Sequence, residues 1–146
     1  MHDLPRQLSA DELAELFEGR TRLVERLAEV EDPLGRAREV AHALPEREKV
    51  EALSSHPPIG ASHRLSARSA AEQGADDDAA VLADLAELNR AYEERFGFRF
   101  VVFVAGRPRR EILPVLRERL ERTREEELET GLDELVSIAL DRWGKR

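Results

Sequence analysis

Cysteine is absent from this 146-residue chain. That excludes disulfides, thiolate nucleophiles, iron–sulfur clusters and Cys-based zinc sites, and it is compatible with a reducing compartment. Aromatic residues make up only 5% of the sequence, so aliphatic side chains must build most of the core. Positive charge is in deficit: 23 Lys and Arg face 31 Asp and Glu, a net charge of −8. A uniformly acidic domain binds nucleic acid poorly, because phosphate recognition needs concentrated positive charge. An anionic membrane surface is disfavoured for the same reason. No apolar run approaches the ~18 residues of a membrane span. The start, Met1-His2-Asp3-Leu4-Pro5, has no basic stretch followed by an apolar one. The expectation is a soluble, cytoplasmic protein that binds neither nucleic acid nor membrane.

What is present is charge and helical periodicity. Charged residues reach 37%, and the length fits one domain, residues 1–146. Ser9-Ala10-Asp11-Glu12 has the form of a capping box before a helix carrying Leu13, Leu16 and Phe17, which Gly19 ends. The spacing of Leu23, Val24, Leu27 and Val30 predicts a second helix from about Thr21 to Val30. Asp32-Pro33 starts a third, through Leu44, and Pro45 opens a fourth, from Glu46 to Leu53. From Ser54 to Ala75, prolines, glycines and serines replace the apolar anchors, and a loop of about 20 residues is expected. It could hold a short helix from Ser69. Asp76-Asp77-Asp78 then precedes a helix whose face is Val81, Leu82, Leu85, Leu88 and Tyr92, up to Arg95.

Phe96 to Gly106 is rich in β-branched and aromatic residues and favours an extended conformation. With no partner strand in the sequence, it reads as a buried extended segment. Pro108 opens a helix with Ile112, Leu113, Val115, Leu116 and Leu120. A last helix runs from about Thr123 to Trp143, and its charge-dense start, Arg124-Glu125-Glu126-Glu127, reads most simply as a solvated face. The fold class is therefore all-α: a single compact domain of about seven or eight helices with one buried extended segment.

The chain carries no P-loop, dinucleotide fingerprint, HExxH or GxSxG. Of its four His residues, His2 is terminal, His42 lies on a predicted helix in a structural or surface role, and His63 has no specific role. His56 differs. It follows a helix directly, and Pro57 and Pro58 stiffen the backbone that presents it. A general acid or base needs a near-neutral pKa and a held position. The bland alternative is a His that interacts with a helix C-terminus. Ser69-Ala70-Ala71-Glu72-Gln73 is a capping box by local physics. Functionally, Glu72 could orient His56 or a substrate hydroxyl, while Ser69 and Gln73 could bind a carboxylate or ureido group at a helix N-terminus. A zinc site at His56, His63 and Glu72 has compatible ligands but no recognised spacing, so no metal is expected.

Taken together, these pieces resemble the 2-oxo-4-hydroxy-4-carboxy-5-ureidoimidazoline (OHCU) decarboxylase family. The family's His-Pro-x-(Leu/Ile)-(Ala/Gly) loop is matched from His56 to Gly60, and its Ser-x-x-Glu-Gln from Ser69 to Gln73. Its Leu-x-x-Leu-Asn-x-x-Tyr-x-x-(Arg/Lys)-Phe-Gly-Phe-x-Phe is matched from Leu85 to Phe100, and its final Ile-x-x-x-Arg from Ile138 to Arg142. Pro58 stands where Asp or Arg is frequent and Arg99 where Pro is common, departures that bear on substrate fit.

The resemblance implies an all-helical fold, a homodimer and no metal or organic cofactor. It implies decarboxylation of OHCU to (S)-allantoin in urate degradation. By the same resemblance His56 is catalytic with Glu72 beside it, Pro57 shapes the site, and Ser69, Ala70, Ala71 and Gln73 line the substrate. The backbone of Phe100, Val101, Val102, Phe103 and Val104 meets the substrate ring, and Arg142 contacts the substrate. Two other readings remain: a divergent paralogue acting on a related ureido or imidazoline acid, and a non-catalytic acidic helical interaction module. Convergence of His56, Glu72 and Arg142 on one pocket favours an enzyme.

Overall fold

The structure is a computed structural model and describes residues 4–57 and 79–145. Its described residues form seven helices and no strands. They are α1 (Ala10–Phe17), α2 (Arg22–Leu27), α3 (Ala37–His42), α4 (Glu46–Ser54), α5 (Ala79–Phe96), α6 (Arg109–Leu120) and α7 (Arg124–Gly144). The all-α expectation is met.

Local chemistry sets most of the helix starts. The Ser9 hydroxyl accepts from the Glu12 N–H, and the Glu12 carboxylate accepts from the Ser9 N–H, which completes the capping box of α1. Thr123 and Glu126 do the same for α7. Each pair satisfies two donors that a helix N-terminus leaves without partners. Helix α2 is capped both ways: the Thr21 hydroxyl accepts from the Val24 N–H at 3.4 Å, and Glu51 of α4 accepts the Arg22 N–H at 2.8 Å.

Three expected boundaries move. The left-handed residue that ends α1 is Glu18, at φ 61° and ψ 37°, rather than Gly19. Helix α2 stops at Leu27, and residues 28–30 continue as tighter turns, with Glu29 N–H donating to Arg26 and Val30 N–H to Leu27. The third helix does not begin at Asp32-Pro33. Asp32 adopts φ 53° and folds its carboxylate over Gly35, so 33–36 is a turn and α3 starts at Ala37.

The 21-residue α7 is the spine. It packs on α1, α3 and α4, while α5 and α6 pack on each other. Leu128, Leu132, Leu135, Val136 and Ala139 recur at helical spacing and are buried. Gly131 permits the closest approach: a Cβ there would meet both Leu53 methyl carbons at 3.1 Å. That contact seats the C-terminal end of α4, and thus the turn after it, against the spine.

From Arg99 to Val104 the chain is extended without strand pairing and buried apart from the partly buried Arg99 and Phe103. The expected run from Phe96 to Gly106 is shorter at both ends, because Phe96 closes α5, Gly97 is exposed at φ 80°, and Ala105 and Gly106 turn at φ 54° and 77°. Four of the five Phe residues and the one Tyr lie between 92 and 103. Tyr92 sits with its ring centroid 4.6 Å from that of Phe96, 6.0 Å from Phe98 and 5.3 Å from Phe100. Aromatic edge contacts of this kind add to the area that each ring buries.

Side chains from α6 and α7, together with Arg107, take up part of this segment's backbone bonding. Arg119 donates to the Val101 carbonyl, Glu134 accepts the Phe103 N–H, and Arg107 donates to the carbonyls of Phe103 and Val104. An unpaired extended stretch therefore does not require a ligand to satisfy all of it.

One expectation about the surface fails. Glu127 is fully buried, not part of a solvated face. Its carboxylate accepts from Tyr92 Oη at 2.7 Å, Arg119 Nε at 2.6 Å and Arg122 Nη1 at 2.8 Å. A buried carboxylate survives only when charge-paired and hydrogen-bonded, and here three donors converge on it. Arg124 likewise turns inward, donating to the Phe96 carbonyl and lying 5.3 Å from the Phe98 ring centroid.

Candidate active site

Helix α4 ends at Ser54, with Ser55 as C-cap. The His56 N–H still donates to the Leu53 carbonyl at 3.2 Å, a last tightened turn. Pro57 then disfavours helical geometry for His56 and stops the helix. The imidazole is not left at the surface: His56 is only 8% exposed. Its Nδ1 is buried and makes no hydrogen bond among the described residues. Unsatisfied buried polar atoms are uncommon and call for a reason.

Two arginines flank it. Arg142 lies in the last turn of α7 and is 2% exposed. Its Nη1 donates to the Leu16 carbonyl at 2.9 Å and the Glu15 carbonyl at 3.5 Å, closing the C-terminal end of α1. Its Nη2 stands 3.4 Å from the Glu18 carboxylate. Arg99 arrives from the extended segment, and its Nη1 donates to the carbonyls of His56 at 2.7 Å and Ser54 at 3.1 Å. Gly19, one residue beyond Glu18, approaches Ser55 so closely that a Cβ would meet its side chain at 3.1 Å. The ends of α1, α4 and α7 and the start of the extended segment thus meet around one turn.

Electrostatics follow from that meeting. Burial pushes the His56 imidazole down to about 4; the Arg142 charge pushes the same way, Glu18 opposes it, and Arg99 adds to the depression. At neutral pH the ring is neutral, and among the described residues two guanidiniums and one carboxylate act on it. The two guanidiniums, partly offset by Glu18 and Glu93, are groups that can receive an anionic ligand.

Of the residues singled out in the sequence, His56, Pro57 and Arg142 come together here. Phe100 to Val104 continue from Arg99, with Phe103 half-buried and the other four buried. Ser69, Ala70, Ala71, Glu72, Gln73 and His63 lie outside the described residues. His42 has a structural setting between Glu129 and Asp133 of α7. Among the described residues no group of His, Asp and Glu is arranged to hold a metal ion, and no helix is long and apolar enough to cross a membrane.

Sequence reasoning missed Glu18 and noted Arg99 only as a departure from a pattern. For Glu18 the signal was weak: an acidic residue before Gly19 marks a helix end but not a distant arginine. For Arg99 it was stronger, because Phe98 and Phe100 are apolar neighbours in an extended run and force the residue between them to the opposite face.

Comparison with known proteins gives this geometry a context. A crystal structure of OHCU decarboxylase in the presence of (S)-allantoin superposes with a TM-score of 0.77 at 26% identity, over 92% of this chain and 96% of that one. A uric acid degradation bifunctional protein of Arabidopsis thaliana is 36% identical over 105 residues, 66% of this chain and 32% of the relative. A 2-oxo-4-hydroxy-4-carboxy-5-ureidoimidazoline decarboxylase of Haloferax volcanii is 32% identical over 105 residues, 68% of this chain and 62% of the relative. The chain spans about a third of the length of the bifunctional relative. The OHCU decarboxylase family description matches residues 2–144, nearly the whole sequence, and the chain belongs to that family.

Proposed function

We propose that the chain decarboxylates OHCU to (S)-allantoin, with His56 and Glu72 as the catalytic pair and no cofactor. The observation that carries the reading is His56 itself: a buried imidazole whose Nδ1 makes no hydrogen bond among the described residues and on which the charges of Arg142 and Arg99 act. Burial of His56 and Arg142 around one turn weighs against an interaction module, which would present such groups to solvent.

The substrate carries a carboxylate and a hydroxyl on one ring carbon, beside a C=N bond. Loss of CO2 breaks the carbon–carboxylate bond and sends its electron pair into the C=N, whose nitrogen takes up a proton. The enol that results must lose its hydroxyl proton and gain one on the neighbouring carbon, on one face. The substrate is its own electron sink, so the protein's work is to orient the reactant and move a proton.

A neutral His56 suits that transfer, as base toward the hydroxyl and then as acid toward carbon. The bound carboxylate offsets the two arginines. When CO2 leaves, that negative charge passes to the ring and is cancelled only as the ring nitrogen takes up a proton from water. From then on the two arginines are no longer offset, and the imidazolium that delivers a proton to carbon is more acidic. Glu72 binds the hydroxyl region. Arg142, Ser69 and Gln73 hold the polar groups, Pro57, Ala70 and Ala71 line the site, and the backbone from Phe100 to Val104 borders the ring. The reading extends to a homodimer of single-domain chains in the cytoplasm, for which equilibrium sedimentation tests the dimer.

The test replaces His56 by Asn and Glu72 by Gln and follows freshly generated OHCU by circular dichroism. The uncatalysed decay gives racemic allantoin, so the optical signal isolates the enzyme's share. Wild-type formation of (S)-allantoin by either variant overturns the assignment.

A further inference from the structure

We infer that Arg99 is a positioning residue for His56, whose guanidinium clamps the turn that presents the imidazole. The inference rests on the catalytic reading of His56. A helix C-terminus leaves carbonyls without intrahelical partners. At the end of α4 two carbonyls, those of Ser54 and His56, receive one donor, Arg99 Nη1, at 3.1 and 2.7 Å. Charge-assisted bonds of this kind are about twice as strong as neutral ones. They come from a residue 43 positions further along the chain, so they tie the turn to another part of the fold.

The clamp has a rigid anchor. Phe98 and Phe100 are 2% and 1% exposed, packed on Tyr92. With both neighbours buried on one face, the extended backbone sends Arg99 to the other, where the end of α4 lies. The Arg99 side chain is three-quarters buried, and its Nε makes no hydrogen bond among the described residues. Glu93 stands 3.8 Å from its Nη2, a loose pairing. The guanidinium thus gives up hydration for the two carbonyls and a place beside the imidazole. Among the described residues, the charged groups that act on that imidazole are Arg142 from α7, Glu18 from the end of α1 and Arg99 itself.

An arginine that merely closes a helix end would contribute to stability alone. A positioning arginine also sets the turnover rate, because small displacements of an acid–base group cost on the order of tenfold to a hundredfold. The experiment measures kcat, KM, melting temperature and the His56 ring titration by NMR for Arg99→Gln and Arg99→Lys, with His56→Asn assigning the ring signal. Each variant is assayed well below its own melting temperature.

Arg99→Gln is expected to lower kcat at least about tenfold, to change KM much less, and to move the His56 titration upward. Arg99→Lys keeps the charge but reaches one carbonyl at a time, so it regains part of the lost kcat and leaves the titration near wild type. Wild-type kcat with an unmoved titration in Arg99→Gln overturns the inference, as does a loss that only tracks unfolded protein. Should Arg99→Gln melt below the assay temperature, the Lys variant decides alone: a severalfold loss of kcat at unchanged melting temperature supports the clamp, and wild-type kcat overturns it. Full activity in His56→Asn instead defeats the catalytic reading. The titration arm then still reports whether Arg99 acts on the ring.

Discussion

His42 and His56 are the same side chain in opposite circumstances. His42, at the end of α3, has Glu129 against one ring nitrogen and Asp133 against the other. Lys49 completes the cluster by donating to Glu129 at 2.6 Å. Burial alone would lower the His42 pKa, but the bonds to Asp133 and Glu129 together outweigh it and raise it. His56 is more deeply buried, meets two cations and one carboxylate, and is pushed the other way. The lesson is that acid–base readiness lies in what surrounds an imidazole. One ring has all its bonding capacity committed to the fold. The other keeps a buried nitrogen that makes no hydrogen bond among the described residues.

Activity separates the two most sharply. His56→Asn is expected to cut (S)-allantoin formation at least about a hundredfold, the usual scale of a general acid–base group. His42→Asn is expected to leave it within about twofold, since that ring is committed to Glu129 and Asp133. Circular dichroism on both variants breaks the comparison if the losses are alike.

Ring titrations come next. The His42 signal is expected to titrate above the ordinary imidazole range and that of His56 to be pushed down to about 4. Arg142→Met raises the His56 value and leaves His42 in place. Asp133→Asn does the reverse, lowering His42 alone. NMR of the ring protons reads both, and a shift of both signals in either variant would show that the two sites are coupled rather than separate.

The pH dependence of stability has opposite signs. For His56, between about 4 and 6.5 the unfolded chain holds the proton that the native one refuses. Stability therefore rises with pH across that window. His42 contributes stability that is complete below 6.5 and is lost as pH rises through its raised folded value. Burial by itself would raise the Glu129 pKa, but the bonds and charges of Lys49 and His42 together outweigh it and hold it low, so Glu129 contributes above about 4.5 and loses it as pH falls. Urea midpoints across pH should lose part of the acid slope in His56→Asn and part of the alkaline slope in His42→Asn. The smallest effect is Lys49→Met, which weakens the half-exposed His42 cluster by about 1 kcal/mol or less and leaves the His56 titration unmoved.

Much of the fold was legible because its causes are local. The capping boxes at Ser9 and Thr123, the helical spacing from Leu128 to Ala139 and the β-branched, aromatic run at Phe96 to Val104 each act within a few residues. Asp32 was misread because it turns left-handed and folds its carboxylate over Gly35, and Glu127 because its outcome depends on distant partners. Glu127 sits in a run of acids that periodicity assigns to solvent, yet Arg119, Arg122 and Tyr92 converge on it. The same division runs through the site. His56 stood out through its prolines and Arg142 through family resemblance, whereas Glu18 carried no usable signal.

The sequence by itself determined the helical class, the helix caps, the stiff turn at His56 and the family, since periodicity, capping and motif order are written in neighbouring residues. Only the tertiary structure decided that Arg142 closes α1, that Arg99 grips the end of α4, and that one histidine is held neutral while the other gains affinity for its proton. Those outcomes depend on charges brought together from remote parts of the chain, in surroundings where low polarity magnifies each interaction.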